Sequence, residues 1–196
     1  MMMMHSTEEI VLLDDNGQPI GTAPKVTVHG AGTPLHLAFS CHVLDERGQL
    51  LVTRWAMSKA TWPGVWTNSF CGHPRPAEPV LHAVRRRAEY ELGLQLSRIE
   101  LALPLFRYRA IDVSGVVENE ICPVYIARCT SEPEPHPREV VDFAWVDPVD
   151  LGESIRLTPW AFSPWLVLQA RLLPLLGGSG SELFATYRDD DQEALA

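Results

Sequence analysis

Residues 72–94 read GHPRPAEPVLHAVRRRAEYELGL, a proline-rich loop followed by a segment with helical spacing. The spacing predicts a helix from Pro79 to Leu92, and Gly93 suits its end because glycine readily adopts the left-handed backbone of helix C-caps. With about 100° between successive residues, Glu91 borders an apolar face formed by Val80, Leu81, Val84, Ala88 and Leu92. Its carboxylate then either forms a surface ion pair with Arg87, worth roughly a few tenths of a kcal/mol, or is held inward to bind a cation, because a partly buried charge needs a partner.

Strand-like segments lie on both sides of this helix. Before it, EEIVLLD (8–14) leads to a turn at Asn16-Gly17, and LHLAFSCHVL (35–44) and LLVTRW (50–55) predict a hairpin, followed by a long loop over 58–78. After it, strands are predicted near 105–110, 119–129 and 139–146, and Thr158-Pro159 predicts the start of a helix through 160–173. Strands, one central helix and further strands favour an α+β domain built on a mixed sheet.

Composition limits both the domain count and the partners. With 196 residues, 46% of them hydrophobic, the chain can bury one sizeable core. We expect a single domain over 9–176, a flexible N-terminus over 1–8, and a flexible tail over 177–196, which opens with GGSGS and ends in acidic residues. The net charge of −9 disfavours nucleic acid and anionic membranes, so a polyanionic substrate needs metal ions or a local basic patch. No apolar run reaches the roughly 20 residues that cross a bilayer, and MMMMHSTEE does not resemble a secretory signal, so we expect a soluble cytoplasmic protein.

The four cysteines differ in their surroundings. Cys41, Cys122 and Cys129 lie in apolar, strand-like runs, where cysteine usually acts as a small hydrophobe. Cys71 stands instead in WTNSFCGHP (66–74), a predicted loop with polar neighbours. In a reducing cytoplasm a disulfide is disfavoured, which leaves a metal ligand, a buried filler or a proton donor as its possible uses.

Two carboxylates and three imidazoles are candidates for a metal site. In VENE (117–120), Glu118 and Glu120 would point to the same face of a strand, where they repel unless a metal or proton lies between them; two solvated carboxylates are as plausible from the sequence. His29, His36 and His73 lie near glycines, prolines or polar turns, and each alone is more often a surface or core histidine than a ligand. Together, three nitrogens and two carboxylates suit Zn²⁺, Mn²⁺ or Fe²⁺.

Tryptophans flank these segments in the sequence, namely Trp62, Trp66, Trp160 and Trp165. Most tryptophans serve in packing, but their ring faces can also stabilise a cation. An electron-rich pocket that contains acids would suit a substrate that becomes carbocationic.

The order of LHLAFS, WPGVWTNSFCGHP, RRRAEYELG, FRYRA, VENEICPVY and TPWAFSPW closely resembles type 1 isopentenyl diphosphate isomerase over about residues 9–172. Within this resemblance, residues 72–94 are similar to a degenerate Nudix box, G-x5-E-x7-R-E-U-x-E-E-x-G-U, matched at Gly72, Glu78, Arg86, Glu91 and Gly93. Arg87 and Tyr90 replace two glutamates of the box, which disfavours pyrophosphate hydrolysis. The resemblance implies a Nudix-like mixed β-sheet flanked by helices. It also implies an enzyme of isoprenoid biosynthesis that converts isopentenyl diphosphate to dimethylallyl diphosphate by a 1,3-proton shift.

The resemblance also implies roles for individual residues. Cys71 and Glu120 would move protons on opposite faces of the substrate, with Tyr108 hydrogen-bonded on the Glu120 side and Trp165 facing the cation. Lys25, Lys59 and Arg87 would contact the diphosphate. Metal ligands would form two groups: Glu91 and the Cys71 carbonyl for Mg²⁺ with the diphosphate, and a Mn²⁺ or Zn²⁺ site of His29, His36, His73, Glu118 and Glu120.

Trp55 departs from the family pattern, because relatives often carry a phosphate-binding arginine there. The resemblance implies a small prenyl diphosphate as the substrate, and we expect a monomer or weak homodimer. Two alternatives remain: a Nudix-type diphosphate hydrolase, which would need the missing glutamates, and a non-catalytic module that binds a metal or a prenyl diphosphate, which would not need the acid/base pair.

Overall fold

The structure is a computed structural model that describes residues 8–179. Apart from Glu8 and residues 177–179, the two segments predicted to be flexible lie outside the described residues, and the single-domain assignment for 9–176 stays a prediction. Among residues 8–179, no helix is long and apolar enough to cross a bilayer.

Twelve strands and four α-helices make up the described chain. The strands are β1 Glu9–Leu13, β2 Pro19–Pro24, β3 His36–Leu37, β4 Phe39–Leu44, β5 Leu50–Trp55, β6 Trp66–Thr67, β7 Phe70–Gly72, β8 Arg98–Leu103, β9 Arg107–Ile111, β10 Val117–Ile121, β11 Val124–Arg128 and β12 Val140–Val146. The helices are α1 Lys25–Val28, α2 Val80–Leu92, α3 Pro148–Leu157 and α4 Pro164–Leu172, with short 3₁₀ turns at Pro159–Ala161 and Pro174–Leu176.

The strands form two mixed sheets. One has the order β2-β1-β3-β10-β9, and the other has the order β12-β5-β4-β11-β8, with β6 beside β5 and β7 beside β4. The β3–β10 and β4–β11 pairs are parallel, whereas the other pairs are antiparallel. The predicted α+β class with mixed sheets and flanking helices is therefore confirmed.

Two hydrophobic clusters hold the layers together. The first joins residues of both sheets to α3 and α4, and it includes Leu50, Tyr108, Val124, Ile155 and Leu166. The second packs α2 against β4 and β7, and it includes Phe39, Phe70, Val84, Ala88 and Leu92. The second sheet is thus covered on one side by α2 and meets the first cluster on the other.

The predicted central helix is confirmed as α2. Gly93 adopts φ 64°, and its N–H donates to the Glu89 carbonyl at 2.9 Å, as expected for a left-handed C-cap. The predicted apolar face was wrong at one position, because Leu81 is 47% exposed whereas Ala83 is fully buried. The packed face of α2 is therefore rotated towards Ala83.

The predicted hairpin between β4 and β5 is confirmed only at its turn. Leu44 pairs with Leu50, after which the two strands separate and β7 and β6 pair with β4 and β5. The loop predicted over 58–78 therefore contains two short strands, and the placement of Cys71 in a loop was wrong: Cys71 is on β7, opposite Ser40 of β4. Strands of two and three residues are too short for a periodic sequence pattern.

The C-terminal helix begins later than predicted. Thr158 ends α3, and Pro159–Ala161 forms only a 3₁₀ turn. The helix α4 starts at Pro164, where the Ser163 hydroxyl accepts from the Leu166 N–H at 3.3 Å. Ser163-Pro164 is a second cap-and-proline pair, and it is the one that begins α4.

Candidate active site

The histidines and glutamates predicted as metal ligands lie together between β3, β7 and β10. The parallel β3–β10 register places Glu120 beside His36, and alternation along β10 puts Glu118 on the same face. Candidate ligand atoms of His29, His36, His73 and Glu120 all lie within 4.8 Å of one another. Glu118 joins this group through Oε2, which is 3.1 Å from His29 Nε2.

Unpaired atoms of this cluster fit a bound cation. His36 Nε2 and His73 Nδ1 are buried and lack a hydrogen-bond partner, and His29 Nε2 and Glu118 Oε2 are buried with each other as their near polar neighbour, at 3.1 Å. The His36 Nδ1–H donates to the Pro34 carbonyl at 2.9 Å, which directs Nε2 towards the cluster. Burial lowers the pKa of His73 to about 3, so its imidazole is neutral, as a metal ligand must be. Such a set of imidazole and carboxylate donors suits a divalent transition metal.

Each carboxylate of β10 also has a hydroxyl partner. Thr61 Oγ1 donates to Glu118 Oε1 at 2.9 Å, and Tyr108 Oη donates to Glu120 Oε2 at 2.9 Å. Burial raises the pKa of Tyr108 well above its ordinary value, so the phenol remains a donor. Tyr108 therefore holds one oxygen of Glu120, while Glu120 Oε1 lies 3.2 Å from His73 Nε2.

The Cys71 sulfur is held between two polar groups. Its S–H donates to Asn68 Oδ1 at 3.3 Å, and its Sγ lies 3.4 Å from Ser40 Oγ. Burial, the largest influence, raises the pKa of Cys71 to about 12, so the group is a neutral thiol near pH 7. A neutral thiol has a proton to give, which suits an acid and not a resident thiolate.

Asn68 connects this thiol to an aromatic wall. Asn68 Oδ1 also accepts from Trp165 Nε1 at 3.0 Å, and the Trp165 side chain is buried. The Trp165 ring is surrounded by those of Trp55 at 5.1 Å, Trp62 at 5.5 Å and Tyr108 at 5.7 Å between centroids. Of the other tryptophans that flank the site in sequence, Trp66 packs against the first hydrophobic cluster, whereas Trp160 is 78% exposed.

The three cations predicted to bind diphosphate are each paired with a carboxylate. Lys25 Nζ lies 3.1 Å from Glu8, and Lys59 Nζ pairs with Glu139 and lies 4.9 Å from the Trp55 ring centroid. Arg87 Nε donates to Glu91 Oε1 at 2.8 Å, and Arg87 Nη2 lies 3.4 Å from Glu139.

The structure distinguishes between the two roles considered for Glu91, a surface ion pair with Arg87 and an inward-facing carboxylate. The ion pair with Arg87 exists, but it is not at the surface, because Glu91 and Arg87 are only 1% and 6% exposed. The Glu91 carboxylate is held inward, and the cation that it contacts is the guanidinium of Arg87. Sequence reasoning missed Glu8 and Glu139, for which no motif gave a signal.

One cleft of about 130 Å³ brings these groups together. Its lining includes the cations Lys25, Lys59 and Arg87, the metal-site candidates His29, His73, Glu118 and Glu120, and the group of Cys71, Tyr108 and Trp165. Trp55 also lines this cleft, so the position that lacks the usual arginine contributes an aromatic wall.

The fold and the cleft define the class of protein. A family model of the NUDIX domain matches residues 34–166. A solved structure, DR0079 from Deinococcus radiodurans, superposes with a TM-score of 0.64 at 20% identity, covering 83% of this chain and 96% of that one, and so agrees in fold. The chain is a member of the Nudix superfamily.

Curated relatives narrow the assignment within that class. A protein named isopentenyl-diphosphate Delta-isomerase from Agromyces mediolanus is 69% identical over 173 residues, which are 88% of this chain and 84% of that protein. Proteins with the same name are 63% identical in Clavibacter michiganensis, over 89% of this chain and 88% of that protein, and 56% identical in Paenarthrobacter aurescens, over 90% and 99%. The chain therefore belongs to the isopentenyl-diphosphate Delta-isomerase family, as its sequence motifs predicted.

Proposed function

We propose that the cleft interconverts isopentenyl diphosphate and dimethylallyl diphosphate through protonation and deprotonation by Cys71 and Glu120. The observation that carries this proposal is that a neutral thiol, a carboxylate and the Trp165 ring line one cleft together with three cations. Family membership supports the same reaction. It is an isomerase reaction that needs no hydrolytic water.

The chemistry requires a proton donor and a proton acceptor around one carbon skeleton. Protonating the terminal alkene carbon of isopentenyl diphosphate produces a tertiary cation, and removing a proton from the allylic carbon gives dimethylallyl diphosphate. One of Cys71 and Glu120 gives the first proton and the other takes the second, so the reaction conserves protons overall. Because the reaction is reversible, each group acts as acid in one direction and as base in the other.

The cationic intermediate must be stabilised and kept from water. Trp165 presents an aromatic ring, whose negative face attracts a cation. Its own position is fixed by the N–H bond to Asn68 and by the packed rings of Trp55, Trp62 and Tyr108. Aromatic walls also exclude water, which would otherwise capture the cation as an alcohol.

Divalent metal dependence is supported by the family and by the cluster of imidazole and carboxylate groups. We propose that His29, His36, His73, Glu118 and Glu120 hold one Mn²⁺ or Zn²⁺. We further propose that Glu91 and the Cys71 carbonyl hold a Mg²⁺ that accompanies the diphosphate. When bound, such ions neutralise charge on carboxylates and phosphates.

The diphosphate is proposed to contact Lys25, Lys59 and Arg87. Because Glu8, Glu91 and Glu139 already pair with these cations, the side chains alone offer little net positive charge. The chain's net charge of −9 adds to this deficit, so a Mg²⁺ bound with the substrate would supply the missing attraction. We also propose a cytoplasmic enzyme of isoprenoid biosynthesis that acts as a monomer or weak homodimer, without nucleic acid or membrane partners.

Hydrolysis is the main competing chemistry for a Nudix fold. Two box positions that carry glutamates in hydrolases are Arg87, which is buried in an ion pair, and Tyr90, which stacks on His136 at 4.9 Å. Neither side chain can ligate a metal as a carboxylate would.

Incubation with isopentenyl diphosphate and Mg²⁺, followed by phosphorus and proton NMR, tests the proposal. We expect dimethylallyl diphosphate with both phosphates retained. Release of inorganic phosphate would identify a hydrolase, and bound but unchanged substrate would identify a binding module.

A further inference from the structure

A buried polar chain reaches the Cys71 sulfur from the protein interior. Ser40 and His42 project from the same face of β4, and Gln169 lies on α4; all three side chains are fully buried. His42 Nε2 lies 2.8 Å from Gln169 Oε1, and Gln169 Nε2 donates to Ser40 Oγ at 2.9 Å. Ser40 Oγ in turn lies 3.4 Å from Cys71 Sγ.

The hydrogen bonds of this chain all run in one direction. An amide oxygen only accepts, so His42 must donate its Nε2–H to Gln169. Gln169 donates to Ser40, which leaves the Ser40 hydroxyl hydrogen for a sulfur atom. The His42 and Gln169 donors therefore point towards Ser40, whose hydroxyl hydrogen faces the sulfurs of Cys71 at 3.4 Å and Cys122 at 3.5 Å.

His42 explains why the Gln169 amide takes this orientation. Burial lowers the pKa of His42 to about 4, so the imidazole is neutral and carries one proton. With that proton on Nε2, the buried and unpartnered Nδ1 is only an unused acceptor. If the oxygen and nitrogen of the Gln169 amide were exchanged, the amide would donate to His42 Nε2, and the histidine proton would have to lie on Nδ1, where it has no acceptor. Orphaned buried N–H groups are rarer than under-used acceptors.

We infer that Ser40, oriented by Gln169, is a positioning residue that holds the Cys71 sulfur and donates to it as it gives up its proton. This inference rests on the role proposed above for Cys71. The sulfur has an acceptor on one side, Asn68 Oδ1, and a donor on the other, Ser40 Oγ. The protonated thiol donates to Asn68 Oδ1, and the thiolate that is left after proton transfer accepts from the Ser40 hydroxyl.

Cys122 competes for the same hydroxyl hydrogen. Its Sγ lies 3.5 Å from Ser40 Oγ, but Cys122 is 1% exposed and packs in the first hydrophobic cluster. Hydrogen bonds to charged acceptors are roughly twice as strong as those between neutral groups. The hydroxyl therefore turns to Cys71 when charge develops there, and a neutral Cys122 does not retain it.

The test compares steady-state kinetics of Ser40→Ala and Gln169→Met with those of wild type. We expect kcat to fall about 10- to 100-fold, the effect of losing one hydrogen bond to a charged group, while KM stays nearly unchanged because Ser40 is fully buried and does not line the cleft. Ser40→Thr keeps the hydroxyl and should recover most of the Ser40→Ala loss.

Gln169→Glu tests the direction of the chain. An ionised carboxylate, with the His42 Nε2–H donating to it, keeps the shape of the amide but can only accept, so the Ser40 hydroxyl turns towards residue 169 and away from Cys71. We expect a kcat as low as that of Ser40→Ala. A Gln169→Glu enzyme that is folded and fully active would overturn the assigned direction.

Ser69→Ala is the matched control. Ser69 is equally buried, and its Oγ accepts from the Val43 N–H at 2.8 Å and donates to the Leu51 carbonyl at 2.7 Å. Its loss should lower thermal stability and leave kcat unchanged. Equal kcat losses in Ser40→Ala and Ser69→Ala would mean a purely structural effect and would overturn the inference.

A second readout does not use turnover. Of the four cysteines, all within residues 8–179, only Cys71 is half-buried, since Cys41, Cys122 and Cys129 are at most 1% exposed. At alkaline pH, where some thiolate forms, iodoacetamide should therefore label Cys71 in preference to the others, as located by mass spectrometry. We expect slower labelling in Ser40→Ala at constant pH, and wild-type labelling in Ser69→Ala. Cys71→Ala completes the series: if it is active, the proposed role of Cys71 fails, whereas an inactive Cys71→Ala beside a fully active Ser40→Ala would sink only this inference.

Discussion

Tyr108 and Glu120 lie directly opposite each other on paired strands β9 and β10, and the Tyr108 hydroxyl donates to Glu120 Oε2 at 2.9 Å. The register thus fixes a carboxylate and its hydrogen-bond donor in the wall of the cleft. Since the phenol stays protonated, it always donates to Glu120 and never competes with it for a proton. Glu120 is left with Oε1 directed to the histidines, where His73 Nε2 lies 3.2 Å away.

Tyr108→Phe should lower kcat by about 10-fold or more, because a buried hydrogen bond to a charged group is lost while the ring remains. The measurement is steady-state isomerisation of isopentenyl diphosphate. Tyr125→Phe is a suitable control, since Tyr125 is similarly buried but packs in the cluster under α2. A Tyr108→Phe enzyme with wild-type kcat would show that Glu120 does not depend on this hydroxyl.

Cys71→Ala should remove nearly all isomerase activity and leave the fold intact. General acid–base groups contribute on the order of 10² to 10⁴ in rate, and Cys71→Ala removes only the sulfur atom from a partly buried position. Circular dichroism and thermal melting check the fold, and Cys129→Ala is the control for removing a thiol elsewhere. Retention of half the wild-type turnover by Cys71→Ala would refute the assigned role.

Purified protein should contain one tightly bound transition metal, held by the cluster of imidazoles and carboxylates. His73→Ala combined with Glu118→Gln should lose it, as measured by elemental analysis. Chelation should lower the melting temperature of the wild type, because a ligand that binds only the native state stabilises it. It should leave the double variant nearly unchanged. His82→Ala, an exposed position on α2, is the control; equal metal content in wild type and the double variant would rule the site out.

Local patterns predicted the parts of the fold that depend on neighbouring residues. The spacing of residues 80–92 and the glycine after them specify α2 and its cap. Alternation in VENE places Glu118 and Glu120 on one face, and the structure agrees. In both cases one element's own geometry fixes the result.

Other features depend on contacts between distant segments, which no local pattern encodes. Cys71 is in a strand only because β7 pairs with β4, about 30 residues earlier. Gln169 reaches Ser40 across 129 residues of sequence, and Glu139 reaches Lys59 across 80. The ion pairs at the proposed diphosphate-binding end of the cleft were not predicted either. Each cation that the family pattern assigns to the diphosphate already has a carboxylate partner.

The isotopic record of turnover in D₂O separates isomerisation from hydrolysis. If Cys71 and Glu120 exchange protons with solvent between turnovers, deuterium should enter the carbon skeleton of the product, whereas hydrolysis would leave those carbons untouched. Carbon-bound deuterium is measured by NMR or mass spectrometry. Products without it would sink the protonation mechanism.

Trp165 allows the same measurement to test stabilisation of the cation. Trp165→Ala should slow deuterium entry far more than it weakens diphosphate binding, because the ring acts on the charge that develops in the transition state. Trp165→Phe should slow deuterium entry less than Trp165→Ala does, because it keeps an aromatic face. It still loses the N–H bond to Asn68. Trp160→Ala, at a 78% exposed position, is the control and should behave as wild type. An unchanged exchange rate in Trp165→Ala at equal substrate occupancy would remove this ring from the mechanism.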